Sequence, residues 1–214
     1  SISSSPKSHP REVHLTVAIV KYDNFERDRF GLATGELSNR IEVNKTRIPV
    51  YIQPTKEFVI PEDRSKDIIM IGPGTGIAPF RAFLEQRIEE KGAGRNWLFF
   101  GEVHEKSTFF YKDEWFEAMK NGHLQKLTTA FSRDQKHKIY IQHRLLGNSK
   151  EIWEWLQSGS YFYVCGDKQY MAKDVHSALI EIAQKEGKLK KEDAENYINY
   201  TLMKDERRYL RDVY

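Results

Sequence analysis

"IIMIGPGTGIAPF", residues 68–80, is the stretch on which the fold of this chain turns. Ile68 to Ile71 read as a short buried strand, and Gly72-Pro73-Gly74-Thr75-Gly76 as a tight turn. From Ile77 to about Glu90, Phe80, Phe83, Leu84 and Ile88 recur at helical spacing. A strand that passes through glycines into a helix opens a βα unit. Glycines let the backbone approach a phosphate, and the helix start offers unpaired N–H groups with a partial positive charge, so a dinucleotide pyrophosphate would suit this turn. It also reads as a plain strand-to-helix connection with no ligand. No Lys-Ser or Lys-Thr pair follows the glycines, which argues against a phosphate-hydrolysing P-loop.

Working toward the C-terminus, the alternation continues. Strands are predicted at Asn96 to Phe100, Lys126 to Ala130 and Tyr161 to Cys165; helices at about Lys112 to Lys120, Lys150 to Gln157, Tyr170 to Glu186 and Glu192 to Met203, before an extended tail. Repeated βα units predict a parallel, doubly wound sheet over residues 65–214, whose ligands collect at the carboxyl ends of the strands. Toward the N-terminus the pattern changes. Val13 to Lys21 and Arg47 to Gln53 are dense in β-branched residues, with a short helical stretch near Glu36 to Ile41 between them. Residues 1–64 are therefore expected to form part of an antiparallel β-barrel, and the chain as a whole is α/β.

Bulk properties exclude several classes. The 214 residues are 39% apolar and 30% charged, with a net charge of +3, too small to imply nucleic acid or an anionic membrane surface. A single cysteine, Cys165, rules out an internal disulfide and a cysteine-based zinc or iron–sulfur site; the seven histidines show no ligand spacing, so no metal is expected. No apolar run approaches a membrane span, and the first residues carry no signal-peptide pattern. A cytoplasmic protein is expected. The chain opens without Met, as a cut piece of something longer would.

"AFSRDQKHKIYIQH", residues 130–143, places Ser132 and Arg133 at the end of a strand and Lys138, Tyr140 and Gln142 on alternate positions. Ser132, Arg133 and Lys138 could grip a dianionic phosphate while Tyr140 stacks on an adenine, which would favour NADPH over NADH. A solvated basic strand edge is the competing reading.

Together, "IIMIGPGTGIAPFRAF", "NWLFFG", "AFSRDQKHKIYIQ", "YFYVCGDKQYMAKDV" and the terminal "RRYLRDVY" resemble the ferredoxin-NADP reductase-like module of the diflavin reductases, with the sulfite reductase branch the nearest in look. The resemblance covers essentially the whole chain. It implies an FAD-binding barrel, an NADPH-binding domain, and electrons passing from FAD through FMN, on a domain outside this chain, to a siroheme iron–sulfur hemoprotein. It implies that Ser1 ends an Arg-x-Tyr-Ser flavin motif and lies near the flavin N5. Gly31, Ala33 and Thr34 correspond to a flavin phosphate loop, with Tyr22 and Ala18 near the FAD adenine. Gly74, Thr75 and Gly76 correspond to the NADPH pyrophosphate loop, with Arg81 as an auxiliary contact. Ser132, Arg133, Lys138, Tyr140 and Gln142 fall on the 2′-phosphate and adenine positions. Cys165 would sit against the nicotinamide, Asp212 would stabilise transient positive charge, and Tyr214 would cover the flavin face. Asp167, Met171 and Asp174 follow the cysteine, Asp174 helping to hold the nucleotide. One departure stands at Phe100-Gly101-Glu102-Val103-His104, where many relatives carry Cys-Arg after the glycine. Two other readings remain: a nucleotide-binding module without a working flavin site, and a cytochrome P450 reductase-like electron donor.

Overall fold

The computed structural model describes residues 1–23 and 25–214. Its centre is a five-stranded parallel sheet built from β3 (Ile68–Ile71), β4 (Asn96–Glu102), β5 (Lys126–Phe131), β6 (Tyr161–Gly166) and β7 (Tyr209–Val213). The spatial order is β5-β4-β3-β6-β7, so the chain starts in the middle, builds outward to one edge, then returns to build toward the other. The reversal falls between β3 and β6, whose carboxyl ends carry the glycine turn and Cys165-Gly166 respectively. An open α/β sheet offers its crevice at that switch point.

Strand residues alternate between two cores. Ile69 and Ile71 face α5 (Ile141–Gly147), α6 (Ser149–Gln157) and α7 (Met171–Glu186), joining Trp97, Phe99, Phe162 and Val164. Ile68 and Met70 face α2 (Ala78–Glu89) and α4 (Lys112–Lys120), joining Leu98, Phe100, Tyr163 and Cys165. Both faces are covered, which is why β3 reads as an unbroken apolar run rather than an alternation. At the turn after it, Gly74 sits at φ +57°, which glycine adopts without steric cost.

The predicted helices at 112–120 and 150–157 and the strands at 96, 126 and 161 appear within a residue or two of expectation. Two short helices, α3 (Glu105–Thr108) and α5, were not expected, and the predicted final helix becomes α8 (Lys191–Asn196) followed by a π-helical segment, Tyr197–Asp205. The tail is not merely extended. β7 pairs in parallel with β6, setting Asp212 opposite Cys165 and Val213 opposite Gly166.

The N-terminal segment carries less sheet than expected. Among the described residues, regular antiparallel structure is limited to a ribbon of β1 (Lys21–Asp23) and β2 (Asp28–Phe30), plus one bridge between Ile2 and Leu15. Among the described residues, neither Val13–Val20 nor Arg47–Gln53 forms a strand, and no barrel closes. A strand requires a neighbour for its alternate N–H and C=O groups. Val13–Val20 has only the single bridge from Leu15 to Ile2, Arg47–Gln53 has no ladder partner among the described residues, and Val50, Tyr51 and Ile52 remain 77–85% exposed. The helix expected near Glu36–Ile41 lies earlier, as α1 (Leu32–Asn39), with Gly31 at its N-cap.

Residues 3–16 strap this segment onto the sheet domain. Ser5 N–H donates to Glu85 Oε2 at 2.7 Å, Lys7 pairs with Glu90 at 2.7 Å, and the Thr16 and Tyr111 hydroxyls meet at 2.7 Å. Phe58 adds an edge-on contact to Tyr163, whose hydroxyl donates to Val59 O. Among the described residues no helix is long and apolar enough to cross a membrane.

Candidate functional site: a cleft at the switch point

A cleft of about 590 Å³ opens over the carboxyl ends of β3, β4, β5 and β6. Pro73 and Gly74 form one wall; Ser132, Tyr140 and Gln142 form another; Asp167, Tyr170 and Asp174 close the third. The turn sits deep because Gly76 lies against Cys165-Gly166, where an added Cβ would run into the Cys165 carbonyl oxygen.

Ser132 follows β5 directly, its N–H donating to Glu102 O at 2.9 Å. The alternating ledge expected at Lys138, Tyr140 and Gln142 is not a strand: Tyr140 is the N-cap of α5 and Gln142 lies in its first turn. The alternation of Lys138, Tyr140 and Gln142 suits a strand, but Ile141 and Leu145 turn into the core as a helical face. Gln142 Nε2 donates to Asp174 Oδ2 at 2.9 Å, linking α5 to α7 across the cleft floor. Asp167 is occupied: its Oδ2 accepts the Tyr170 and Met171 N–H groups at 2.6 and 2.9 Å, and these bonds hold its carboxyl below the usual range. Arg133 and Lys138 are exposed on the turn and do not line the cleft.

Beside the glycine turn, the four residues expected at the reacting centre come together. Cys165 Sγ lies 3.9 Å from Asp212 Oδ2, and Ser1 is near enough to the thiol to act on its ionisation. Burial, helped by the Asp212 charge, pushes the Cys165 thiol up to about 12, so it is neutral at physiological pH. The Tyr214 hydroxyl lies 3.1 Å from Thr75 Oγ1, and the Tyr214 N–H donates to Gly166 O at 3.2 Å. The C-terminal ring is thus tied to the glycine turn while remaining 62% exposed. Burial raises its phenol.

Other expected residues lie elsewhere. Arg81 faces away from the cleft and clasps the strap, bonding Glu114 at 2.6 Å, Glu85 at 2.9 Å and the Ser3 carbonyl at 2.7 Å. An auxiliary nucleotide contact from it has no support in this geometry, since its donors are spent within the protein. Tyr22 stands half-exposed on β1, Ala18 precedes it, and Gly31, Ala33 and Thr34 start α1. Thr34 does not cap that helix; its hydroxyl accepts the Val20 N–H at 3.1 Å.

Sequence reasoning missed Glu102 and Tyr170 in the cleft. Glu102 ends β4, where a Cβ on Gly74 would lie 3.5 Å from its Oε1; a loop acid following an apolar strand was the available signal. Folding also gathers His9, Glu12 and His14, with ligand atoms within 4.8 Å of one another. Arg81 approaches His14 Nδ1 at 3.3 Å, and Glu12 and Glu85 take the two imidazoles, so the trio works as an anchor for the strap. A metal-bound imidazole donates its other N–H to an acceptor, which a guanidinium cannot be.

The full 214 residues are 49% identical to the sulfite reductase (NADPH) flavoprotein alpha-component of Mannheimia succiniciproducens, where they cover 35% of the relative. They are 47% identical to the protein of the same name from Vibrio parahaemolyticus, covering 34%, and 46% identical to that from Bacillus subtilis, covering 35%. The chain spans about a third of the length of these curated relatives. Residues 70–177 match the family model described as the oxidoreductase NAD-binding domain. Since that match runs from Met70 in the first strand of the sheet to Ser177 in α7 and takes in the cleft from Pro73 to Asp174, the chain belongs to the oxidoreductase NAD-binding domain family.

Proposed function

We propose that this chain is the NADPH-oxidising part of a flavoprotein reductase of the sulfite reductase kind, aligning the nicotinamide for hydride transfer to FAD. Bound FAD would supply the hydride acceptor and release electrons singly, by way of FMN on another domain, to a siroheme iron–sulfur hemoprotein. The observation that carries this reading is the meeting of the glycine turn, Cys165 and Asp212 at the switch point, beside a cleft walled by Ser132, Tyr140 and Gln142.

The chain's own residues divide the work. Gly74 to Gly76 let the pyrophosphate approach the backbone at the start of α2. Ser132, with Arg133 and Lys138 from the adjoining turn, takes the 2′-phosphate through charge-assisted bonds; Tyr140 stacks on the adenine; Gln142 and Asp174 hold the far end in register. Cys165 presents a neutral thiol to the nicotinamide, Ser1 fixes that thiol, and Asp212 balances the positive charge that the ring acquires on losing hydride. Tyr214, anchored to Thr75, covers the flavin face and keeps water out until nicotinamide takes its place.

Residues that would hold FAD partly fit the group. A Cβ on Gly31 would lie 2.9 Å from Thr34 Oγ1 and 3.0 Å from Val20 Cβ, so glycine leaves the backbone bare at the start of α1. The first turn of α1 has no acidic residue, which suits a pyrophosphate there. Thr34 is already bonded to Val20, so the contact would be made by backbone N–H groups. Exposure of Val50, Tyr51 and Ile52 favours a second reading, a nucleotide-binding module that lacks flavin when isolated. A flavin absorbance band in the purified chain separates the two.

The test is calorimetric titration with NADP+ and NAD+. Arg133→Ala or Lys138→Ala should weaken NADP+ binding by roughly 1.5 to 3 kcal/mol, about tenfold to a hundredfold, and leave NAD+ binding nearly unchanged. Equal loss for both nucleotides would refute the assignment.

A further inference from the structure

Pairing between the β4 and β5 edges continues past the strands. Beyond Glu102 and Phe131, the Ser132 N–H donates to Glu102 O at 2.9 Å and the Arg133 N–H to Val103 O at 3.0 Å. A side chain then takes over. Asp134 Oδ1 meets His104 Nδ1 at 2.8 Å, and Asp134 Oδ2 accepts the Glu105 N–H at 2.8 Å. The His104 end is itself fixed, because its N–H donates to Thr108 Oγ1 at 3.1 Å and its carbonyl accepts from the same hydroxyl at 2.7 Å. Residues 132, 133 and 134 are therefore fastened in sequence to residues 102–105.

We propose that His104 and Asp134 form a clasp that sets the preference for a nucleotide bearing a 2′-phosphate, acting as positioning residues for Arg133 and Lys138; this rests on the function proposed above. Asp134 is the acid between those two cations in sequence, and both cations are exposed. Left free, its carboxylate would compete for Arg133 and repel a dianion. Tied to the His104 imidazole and the Glu105 amide, its charge is already answered, and among the described residues neither Arg133 nor Lys138 is drawn into an ion pair with it. The amide of Glu105 and the imidazole together hold the Asp134 carboxyl below its usual range, so it stays anionic at neutral pH and keeps the clasp shut. Ordering the turn in advance also lowers the entropy cost of gripping the phosphate. NAD+, lacking that phosphate, gains nothing from the arrangement.

The experiment compares Asp134→Ala, Asp134→Asn and His104→Ala in the full-length protein, titrated separately with NADP+ and NAD+ and with 2′,5′-ADP as a probe of the phosphate site alone. Asp134→Ala opens the turn and His104→Ala releases the carboxylate, so both should weaken NADP+ and 2′,5′-ADP roughly five- to thirtyfold while NAD+ moves by less than about twofold. Asp134→Asn keeps an acceptor for the Glu105 N–H and removes the competing charge, so it should stay within about threefold of the parent for NADP+. A purely structural loop predicts that both nucleotides weaken together in the alanine variants; that result, or no change in either, overturns the clasp. Failure of the parent protein to prefer NADP+ over NAD+ would sink the proposed function and the clasp with it.

Discussion

Two stretches of this chain share a composition and meet opposite fates. Ile68–Ile71 and Val50–Ile52 are both runs of β-branched and aromatic or apolar residues, yet the first is wholly buried and the second is 77–85% exposed. In the sheet, β3 has β4 on one side and β6 on the other, so its backbone groups are paired and both faces are covered by helices. Around residue 50, among the described residues, neither a neighbouring strand nor a covering layer is present. The comparison teaches that β-propensity measures how well a residue suits a pleated, half-buried surface; the partner strand makes that surface.

The sharpest way to break the comparison is to cut a large side chain from each region. Trp97, fully buried, stacks on Phe99 at 4.9 Å and donates from Nε1 to Thr128 at 3.0 Å. Trp97→Ala should cost about 4 kcal/mol in urea unfolding, as large core truncations do. Tyr51→Ser should stay within about 0.5 kcal/mol, the range of exposed positions. Similar losses at both would mean that the 47–53 segment is packed after all.

A smaller effect is expected where the regions join. Arg81→Ala removes the contacts to Glu85, Glu114 and the Ser3 carbonyl from a side chain only 12% exposed, which should cost roughly 2 kcal/mol. Amide exchange should quicken over residues 3–14 and leave β3 and β6 untouched. Exchange that quickened uniformly would show that the strap is not a separate unit.

Smallest is an acid effect on the same join. Arg64, Lys7 and Gln86 all bond the Glu90 carboxyl, and the Arg64 bond contributes most in holding it down to about 2. A depressed carboxyl contributes stability that is present above its unfolded value, about 4.3, and lost as pH falls through about 2. Glu90→Gln should therefore flatten the decline in unfolding midpoint across that window. An unchanged acid limb would place the sensitivity elsewhere.

Much of the sheet was legible because its signals are local. Gly74 and Gly76 mark the turn, the Phe80/Leu84 spacing marks the helix, and β4, β5 and β6 end where apolar residues give way to Gly or Ser. The nearby ledge was misread for the same local reason. Lys138, Tyr140 and Gln142 alternate as in a strand, but Ile141 and Leu145 serve a helical face against α7, and a core contact outweighs a short-range period. Sequence position at the start of α2 does not reveal which way the Arg81 side chain turns, and Glu85, Glu114 and Ser3 decide that from three separate segments.

From the amino-acid order alone came the parallel α/β plan, the glycine turn and the chemical types at the cleft, all of which depend on residues close together in the chain. Tertiary structure alone decided how Thr75, Cys165, Asp212 and Tyr214 meet, because a C-terminal strand paired beside β6 brings Asp212 opposite Cys165 across more than forty intervening residues. It also decided that the β-rich N-terminal segment forms only a ribbon. A backbone that can extend becomes a strand only when another backbone lies within reach of its hydrogen bonds.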